Sequence, residues 1–259
     1  MATAKNYKKL VQGRITQPSK SQKKPRILVY SRNKKGKTTF GVSAGVGKTL
    51  VLDPEHGTDE MKQKNPHVFH IEEWEDMDLA WGYLKSGDHP YEWVVVDGLT
   101  KINNLALNYV RKVEEERNLD RQPGMIDRRD YNKSGELMKA MLTNFQALQL
   151  GVIYTAQERM MALKDEEIID EDSATVFYVP DLPAGVRGMV NAYVDVIGRL
   201  SVVQVDDKRD IDKTKAQRRL QIGPHERFDT GYRSDWVLPD VLKNPTVPKL
   251  VKLIREGEL

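Results

Sequence analysis

The sequence predicts an α/β fold: a mostly parallel sheet flanked by helices, with an antiparallel hairpin toward the C-terminus. Three observations predict it. Short apolar runs alternate with segments of helical periodicity along most of the chain. Two of those runs, Tyr91-Glu-Trp-Val-Val-Val-Asp97 and Gly151-Val-Ile-Tyr-Thr-Ala-Gln157, are nearly continuous in apolar residues, as central parallel strands covered on both faces must be. The earliest run in the chain, Ile27-Leu-Val-Tyr30, passes through a tight loop into Gly36-Lys37-Thr38-Thr39.

Taken in order, residues 26–31 read as a strand, 37–45 as a helix and 48–53 as a second strand, closed by Asp53-Pro54. A short strand over 67–71 and a helix over 75–86 precede the strand over 91–97. Helices over 99–118 and 131–149 follow; in the second, Leu137, Met141, Leu142, Phe145 and Leu148 recur at three- and four-residue spacing. After the strand over 151–157 the character changes. Residues 193–205 and 217–222 read as two strands joined by a charged loop, 206–216, and 244–255 as a terminal helix. No internal repeat is present, so 25–259 is expected to be one domain behind a basic, flexible arm, 1–24.

A chain of 259 residues can bury a substantial core. With no cysteine, it has no disulfide, thiolate metal site or cysteine nucleophile. It contains no run of 18 apolar residues to span a membrane and no apolar leader, so a cytoplasmic location is expected. Net charge is only +3, but residues 1–52 hold 13 Lys/Arg and no acid, the first acid being Asp53. An arm rich in Lys, Gln and Ser can bind nucleic acid by counterion release, or it can simply keep the chain soluble; composition leaves both open.

Strand, turn and Gly-Lys-Thr at a helix start is the layout of a phosphate-binding loop, whose first helical amides face an anion. Residues Ser31, Arg32, Asn33, Lys34, Lys35, Gly36, Lys37, Thr38 and Thr39 are therefore the predicted nucleotide-binding segment, with Lys37 on the β- and γ-phosphates of ATP and Thr38 on Mg²⁺. The pattern G-x-x-x-x-G-K-[ST] wants glycine where Ser31 stands, which predicts some loss of loop quality. A second Gly47-Lys48-Thr49 lacks its first glycine, having Val42 there, and runs into a strand; it has no helix N-terminus to offer.

Further acids and amides fall at strand ends, where open α/β sheets bind ligands. Asp97 ends an apolar strand and is the predicted Mg²⁺ partner. Glu55, in Asp53-Pro-Glu-His-Gly57, either polarises the attacking water or is a solvated loop carboxylate, and Asp53 reads as a turn or supporting residue. Gln157 either touches the γ-phosphate or caps a turn. His67 and His70, with Glu72 and Glu73, suggest a metal, but on a strand 67 and 70 point to opposite faces, so that reading is set aside.

Together these residues resemble the RecA-type ATPase core, and within it a phage group of RecA-like single-strand annealing proteins. The resemblance is carried by Lys34 and the double threonine of the loop, Asp53-Pro-Glu-His-Gly57, Val94-Val-Val-Asp-Gly-Leu-Thr100, Ile153-Tyr-Thr-Ala-Gln-Glu158, Pro180-Asp-Leu-Pro183, Val194-Asp-Val-Ile-Gly-Arg199 and Thr230-Gly-Tyr-Arg233, over about residues 26–255. It implies that Glu55 activates water, that Gln157 senses the γ-phosphate and that Arg233 stabilises charge, reaching a neighbouring subunit of a ring or filament. The lysine such proteins carry just ahead of that arginine is missing here, which with Ser31 implies slow hydrolysis.

The same resemblance implies single-stranded DNA as partner, with a single-strand-binding protein or another recombination protein beside it, in the host cytoplasm. DNA contacts are expected in 118–133, from Arg121, Arg128, Arg129 and Tyr131 by phosphate contact and base stacking. The second loop, 158–178, carries six acids between 165 and 172 and would repel a polyanion. Two other readings stand beside this one: a helicase loader or motor ATPase, and a nucleotide-gated interaction protein with little hydrolysis.

Overall fold

The computed structural model describes residues 4–15, 17, 23–163, 175–207 and 210–258. The chain runs α1 (Ala4–Gln12), β1 (Arg26–Ser31), α2 (Lys37–Val42), β2 (Thr49–Asp53), β3 (His67–His70), α3 (Glu75–Ser86), β4 (Trp93–Asp97), α4 (Leu99–Arg117), α5 (Arg128–Gln146) and β5 (Gly151–Leu163). It continues through β6 (Thr175–Pro180), α6 (Ala184–Tyr193), β7 (Val196–Asp207), β8 (Asp210–Gln221), β9 (Gly231–Tyr232), β10 (Val241–Lys243) and α7 (Val247–Glu256).

The expected fold class is what the strands form. In the order β10-β8-β7-β1-β5-β4-β2-β3, the six from β7 to β3 are mutually parallel, while β8 and β10 extend the sheet antiparallel. The chain leaves β1 toward one side and returns to its other side only at β7, so β1 marks the point where winding reverses.

Alternation along each strand builds two cores. Leu28, Tyr30, Leu52, Val94, Val96, Val152 and Tyr154 face α3, α4, α5 and α6, meeting Met77, Leu99, Ile102, Met138, Leu142 and Phe145. Ile27, Val29, Val51, Val95 and Ile153 face the other way, onto Phe40 and Val42 of α2 and onto Val247, Leu250 and Leu253 of α7. Covering both faces explains why these strands are apolar at consecutive positions.

Four expectations need correction. The arm is not wholly without structure, since Ala4–Gln12 is helical, with Tyr7, Leu10 and Val11 exposed. The charged "loop" 206–216 is largely strand: β7 and β8 pair from Arg199↔Gln221 out to Asp206↔Thr214, a long two-stranded arm on which Gln204, Asp206, Thr214, Lys215, Ala216 and Arg218 are exposed. β5 does not stop at Gln157 but runs on to Leu163 and pairs antiparallel with β6. The fifth helix begins at Arg128 rather than 131, because Asp127 and Asp130 form a reciprocal capping box. The acidic stretch 165–172 lies outside the described residues. No described helix is long and apolar enough to cross a membrane.

Candidate nucleotide site at the carboxyl edge of the sheet

The parallel strands end together at one edge, and register fixes what meets there. Ser31 pairs with Gln157 across β1 and β5, and Asp97 pairs with Thr155 across β4 and β5. Above this edge lies a cavity of about 540 Å³, whose wall includes Lys34, Gly36, Lys37, Thr38, Glu55, Asp97, Thr155, Gln157 and Arg218. That size suits a nucleotide-like ligand.

The loop from β1 to α2 has the predicted form. Gly36, at φ 102°, takes the left-handed turn that lets Lys37 open the helix, a conformation a Cβ resists. Ser31 is different from what its motif position implied. It is buried, closes β1, and is not among the described residues with positive φ, so its Cβ brings no backbone penalty; its hydroxyl donates to Arg32 O at 2.8 Å. Besides Gly36, the left-handed residue of the loop is Lys34, at φ 60°. Asn33, Lys34, Gly36, Lys37, Thr38 and Thr39 line the cavity; Ser31, Arg32 and Lys35 do not, and Arg32 lies 3.4 Å from the buried Glu158 carboxylate.

Thr38 Oγ1 donates to Asp97 Oδ2 at 2.6 Å, and Thr155 Oγ1 donates to Asp97 Oδ1 at 2.7 Å. Burial pushes the Asp97 carboxyl up, and these two hydroxyls only partly oppose it. Lys37 Nζ donates to the carbonyls of Ser31 and Arg32, both at 3.3 Å, which holds it across the mouth of the loop. Burial lowers its pKa, against the pull of Asp97, Glu55 and Glu158. A hidden carboxylate beside a serine- or threonine-type hydroxyl is a donor set suited to a hard divalent cation. Thr38 and Asp97 therefore fit Mg²⁺.

Glu55 owes its place to Asp53. Burial raises the Asp53 pKa, but the Thr58 hydroxyl and the N–H groups of Thr58, Glu55 and Gly57 outweigh that and hold it low. Asp53 is thus spent on shaping its own turn, in which His56 adopts φ 54°, and Glu55 is left on the cavity wall. Gly98, at φ 114°, leaves room for that carboxylate: a Cβ there would lie 3.4 Å from Glu55 Oε1. Gln157 is held through its backbone, its N–H donating to Thr100 Oγ1 at 3.1 Å and its carbonyl accepting from Asp181 N–H at 2.8 Å. Its side chain faces the cavity.

Other predicted residues lie elsewhere. Arg233 follows β9, which pairs with Val196 and Ile197 at the start of β7, so it sits at the amino edge of the sheet. There it donates to Ala192 O at 2.7 Å and lies 3.8 Å from Asp195. Arg121 makes a two-pronged ion pair with Asp130 and donates to Met125 O, with a side chain only 9% exposed; it pins the 118–127 connection and is not free for DNA. Arg128, Arg129 and Tyr131 are exposed on the first turn of α5. Lys48 of the second Gly-Lys-Thr is at the amino edge, 2.6 Å from Glu92. His67 and His70 do diverge, His67 toward Tyr91 and His70 onto His56 and Asp59.

Among the polar wall residues, Thr155 and Arg218 were missed. Thr155 carried a signal, being a polar side chain inside an apolar strand. Arg218 carried none: it fell in the strand expected over 217–222, and nothing in its spacing ties that strand to the phosphate loop.

Among curated proteins nothing matches this chain. A solved structure of a KaiC-like protein from the hyperthermophilic archaeon Pyrococcus horikoshii OT3 resembles it at 11% identity and a TM-score of 0.42, over 82% of this chain and 83% of that one. A family model described as an AAA domain, AAA_24, matches residues 23–234, which takes in every strand from β1 to β9 and every wall residue discussed above. The chain belongs to this AAA_24 family of P-loop ATPase domains.

Proposed function

We propose that this chain binds ATP with Mg²⁺, hydrolyses it slowly, and uses that cycle to bind single-stranded DNA and promote annealing in phage recombination as a ring or filament. The observation that carries the nucleotide reading is the joining of the phosphate loop to the opposite strand: Thr38 and Asp97 are in hydrogen-bond contact at 2.6 Å, with Lys37, Glu55 and Gln157 around the same cavity.

The residues divide the work. The amides after Gly36 and the Lys37 ammonium neutralise the phosphate chain. Thr38 and Asp97 would hold Mg²⁺, whose chemistry here is to neutralise charge on the phosphate oxygens. Glu55 accepts a proton from the attacking water and orients it; Gln157 contacts the terminal phosphate and passes its loss through Thr100 and Asp181 to β6 and α6. For DNA, support comes from Arg128, Arg129 and Tyr131, which present two cations and a ring to solvent on one helical turn.

The test is Lys37→Ala in a titration with a fluorescent ATP analogue, followed by turnover with and without single-stranded DNA. The variant should keep its circular dichroism spectrum and lose ATP binding. Wild-type affinity in the variant removes the nucleotide reading, and turnover indifferent to DNA removes the DNA reading.

A further inference from the structure

Arg218 is a cation on the cavity wall that the scheme above leaves unused. It sits in β8, two strands out from β1, opposite Val202 of β7. On β7, Arg199 lies level with Tyr30 at the end of β1, so position 202 is about 10 Å further along. Arg218 therefore overhangs the carboxyl edge and its side chain turns back onto the phosphate loop. A Cβ on Gly36 would lie 2.6 Å from Arg218 Nε and 3.4 Å from Cζ. The guanidinium is part of the cavity wall together with Lys37, Glu55 and Gln157.

Among the described residues nothing else engages it: the Arg218 side chain makes no hydrogen bond or ion pair with them. Its neighbours on the arm differ: Arg219 donates to Gln217 Oε1 at 3.0 Å, and Arg199 is paired with Glu158. Outside the cavity wall, Lys64 has its pKa lowered first by burial and then by the charge of Arg218. The Arg218 guanidinium, Lys34, Lys37 and the amides after Gly36 meet at one cavity, an excess of positive charge that an anion relieves.

Resting on the nucleotide reading above, we propose that Arg218 is a phosphate-binding residue of its own protomer. It closes over the loop at Gly36 and donates to oxygens of the nucleotide's phosphate chain. It supplies in cis the arginine charge that the sequence assigned to Arg233 in trans. Because Arg218 O also accepts from Asn244 N–H at 2.8 Å, a phosphate held there ties the nucleotide to the β7–β8 arm and to β10.

The test uses the full chain at a concentration where sedimentation shows monomer, titrated with fluorescent ATP analogue and Mg²⁺. Arg218→Met keeps bulk without charge, and Arg218→Lys keeps charge. A charge-assisted contact predicts affinity lowered about 10- to 100-fold in R218M, with R218K recovering part of the loss and both melting as wild type does. Unchanged affinity in folded R218M, or equal loss in R218K and R218M, overturns the proposal. So does restored turnover on mixing R218M with K37A, since complementation requires action in trans. The underlying reading fails separately: a wild-type chain that takes up no ATP, or K37A that binds as wild type does, removes it whatever Arg218 does.

Discussion

Replacing Asp97 by Asn should make the nucleotide-free protein more stable while crippling its response to Mg²⁺ and ATP. The carboxylate is 7% exposed, and burial raises its pKa despite hydrogen bonds from Thr38 and Thr155. Asn keeps the shape and can keep both contacts, because either hydroxyl can turn to accept from the amide. What it removes is a buried charge only partly balanced by Lys37, whose own pKa burial lowers. Relief of about 1 kcal/mol is the expected scale, corresponding to about 2–4 °C in Tm for a domain this size.

The sign with pH follows from the direction of the shift. A carboxyl raised above its ordinary value favours the fold while protonated, below that value, and loses this contribution as pH rises through the raised one. The advantage of Asp97→Asn should therefore be full at pH 8 and fade toward pH 4. Differential scanning fluorimetry across that range measures it. Adding ATP with Mg²⁺ should reverse the order, since ligand at 100 times Kd stabilises wild type by about 2.7 kcal/mol and the variant by much less. A variant less stable than wild type at pH 8 without nucleotide would show the carboxylate to be well paired and the reasoning wrong. Equal stabilisation by ATP and Mg²⁺ would refute the assignment of Asp97 to the cation.

Glu55→Gln should lower turnover about 10²- to 10⁴-fold with ATP affinity nearly unchanged, because it removes a general base and leaves the phosphate contacts; an equal fall in affinity speaks against that role. Replacing Arg128 and Arg129 together should reduce the slope of log affinity for single-stranded DNA against log salt by about 2, read by fluorescence anisotropy, and an unaltered slope clears both residues. Arg121→Ala should instead lower Tm and leave that slope alone, since its guanidinium is committed to Asp130 and Met125. Gly36→Ala should lose ATP binding through the positive φ and the crowding by Arg218 together, and wild-type binding by this variant would show that the loop tolerates a side chain there.

The central sheet was legible because it is buried on both sides. Val94-Val-Val and Val152-Ile-Tyr must be apolar at successive positions to meet helices on either face, and few other structures produce such runs. The phosphate loop and Asp97 were legible for the same reason, being polar residues placed where an apolar strand stops. The outer part of the β7–β8 arm, over 206–216, and the far half of β5 were not. In the arm, Thr214, Lys215 and Ala216 are all exposed, so no period of two in hydropathy survives there to announce a strand. Ser31 was misjudged because a motif letter stood in for a backbone angle: the position ends a strand and has no need of glycine.

The two late arginines show why position in sequence is a poor guide to the edge of a sheet. In the parallel part, every strand points to the same side, so Ser31, Asp53, Asp97 and Gln157, each where its strand's parallel pairing stops, could be gathered by strand direction alone. Beyond β7 the strands reverse. Arg233 follows a strand that pairs with the first residues of β7 and is left at the amino edge. Arg218 lies three residues before the end of a strand running the other way, which sets it past the carboxyl edge and above the loop. A reader who counts arginines toward the C-terminus reaches for Arg233; one who follows strand direction through the hairpin arrives at Arg218. The arginine that overhangs the phosphate loop is therefore placed by topology, carried by the antiparallel arm, and any insertion or deletion that shifted the β7–β8 register by one residue would turn Arg218 to the other face of the sheet and away from Gly36.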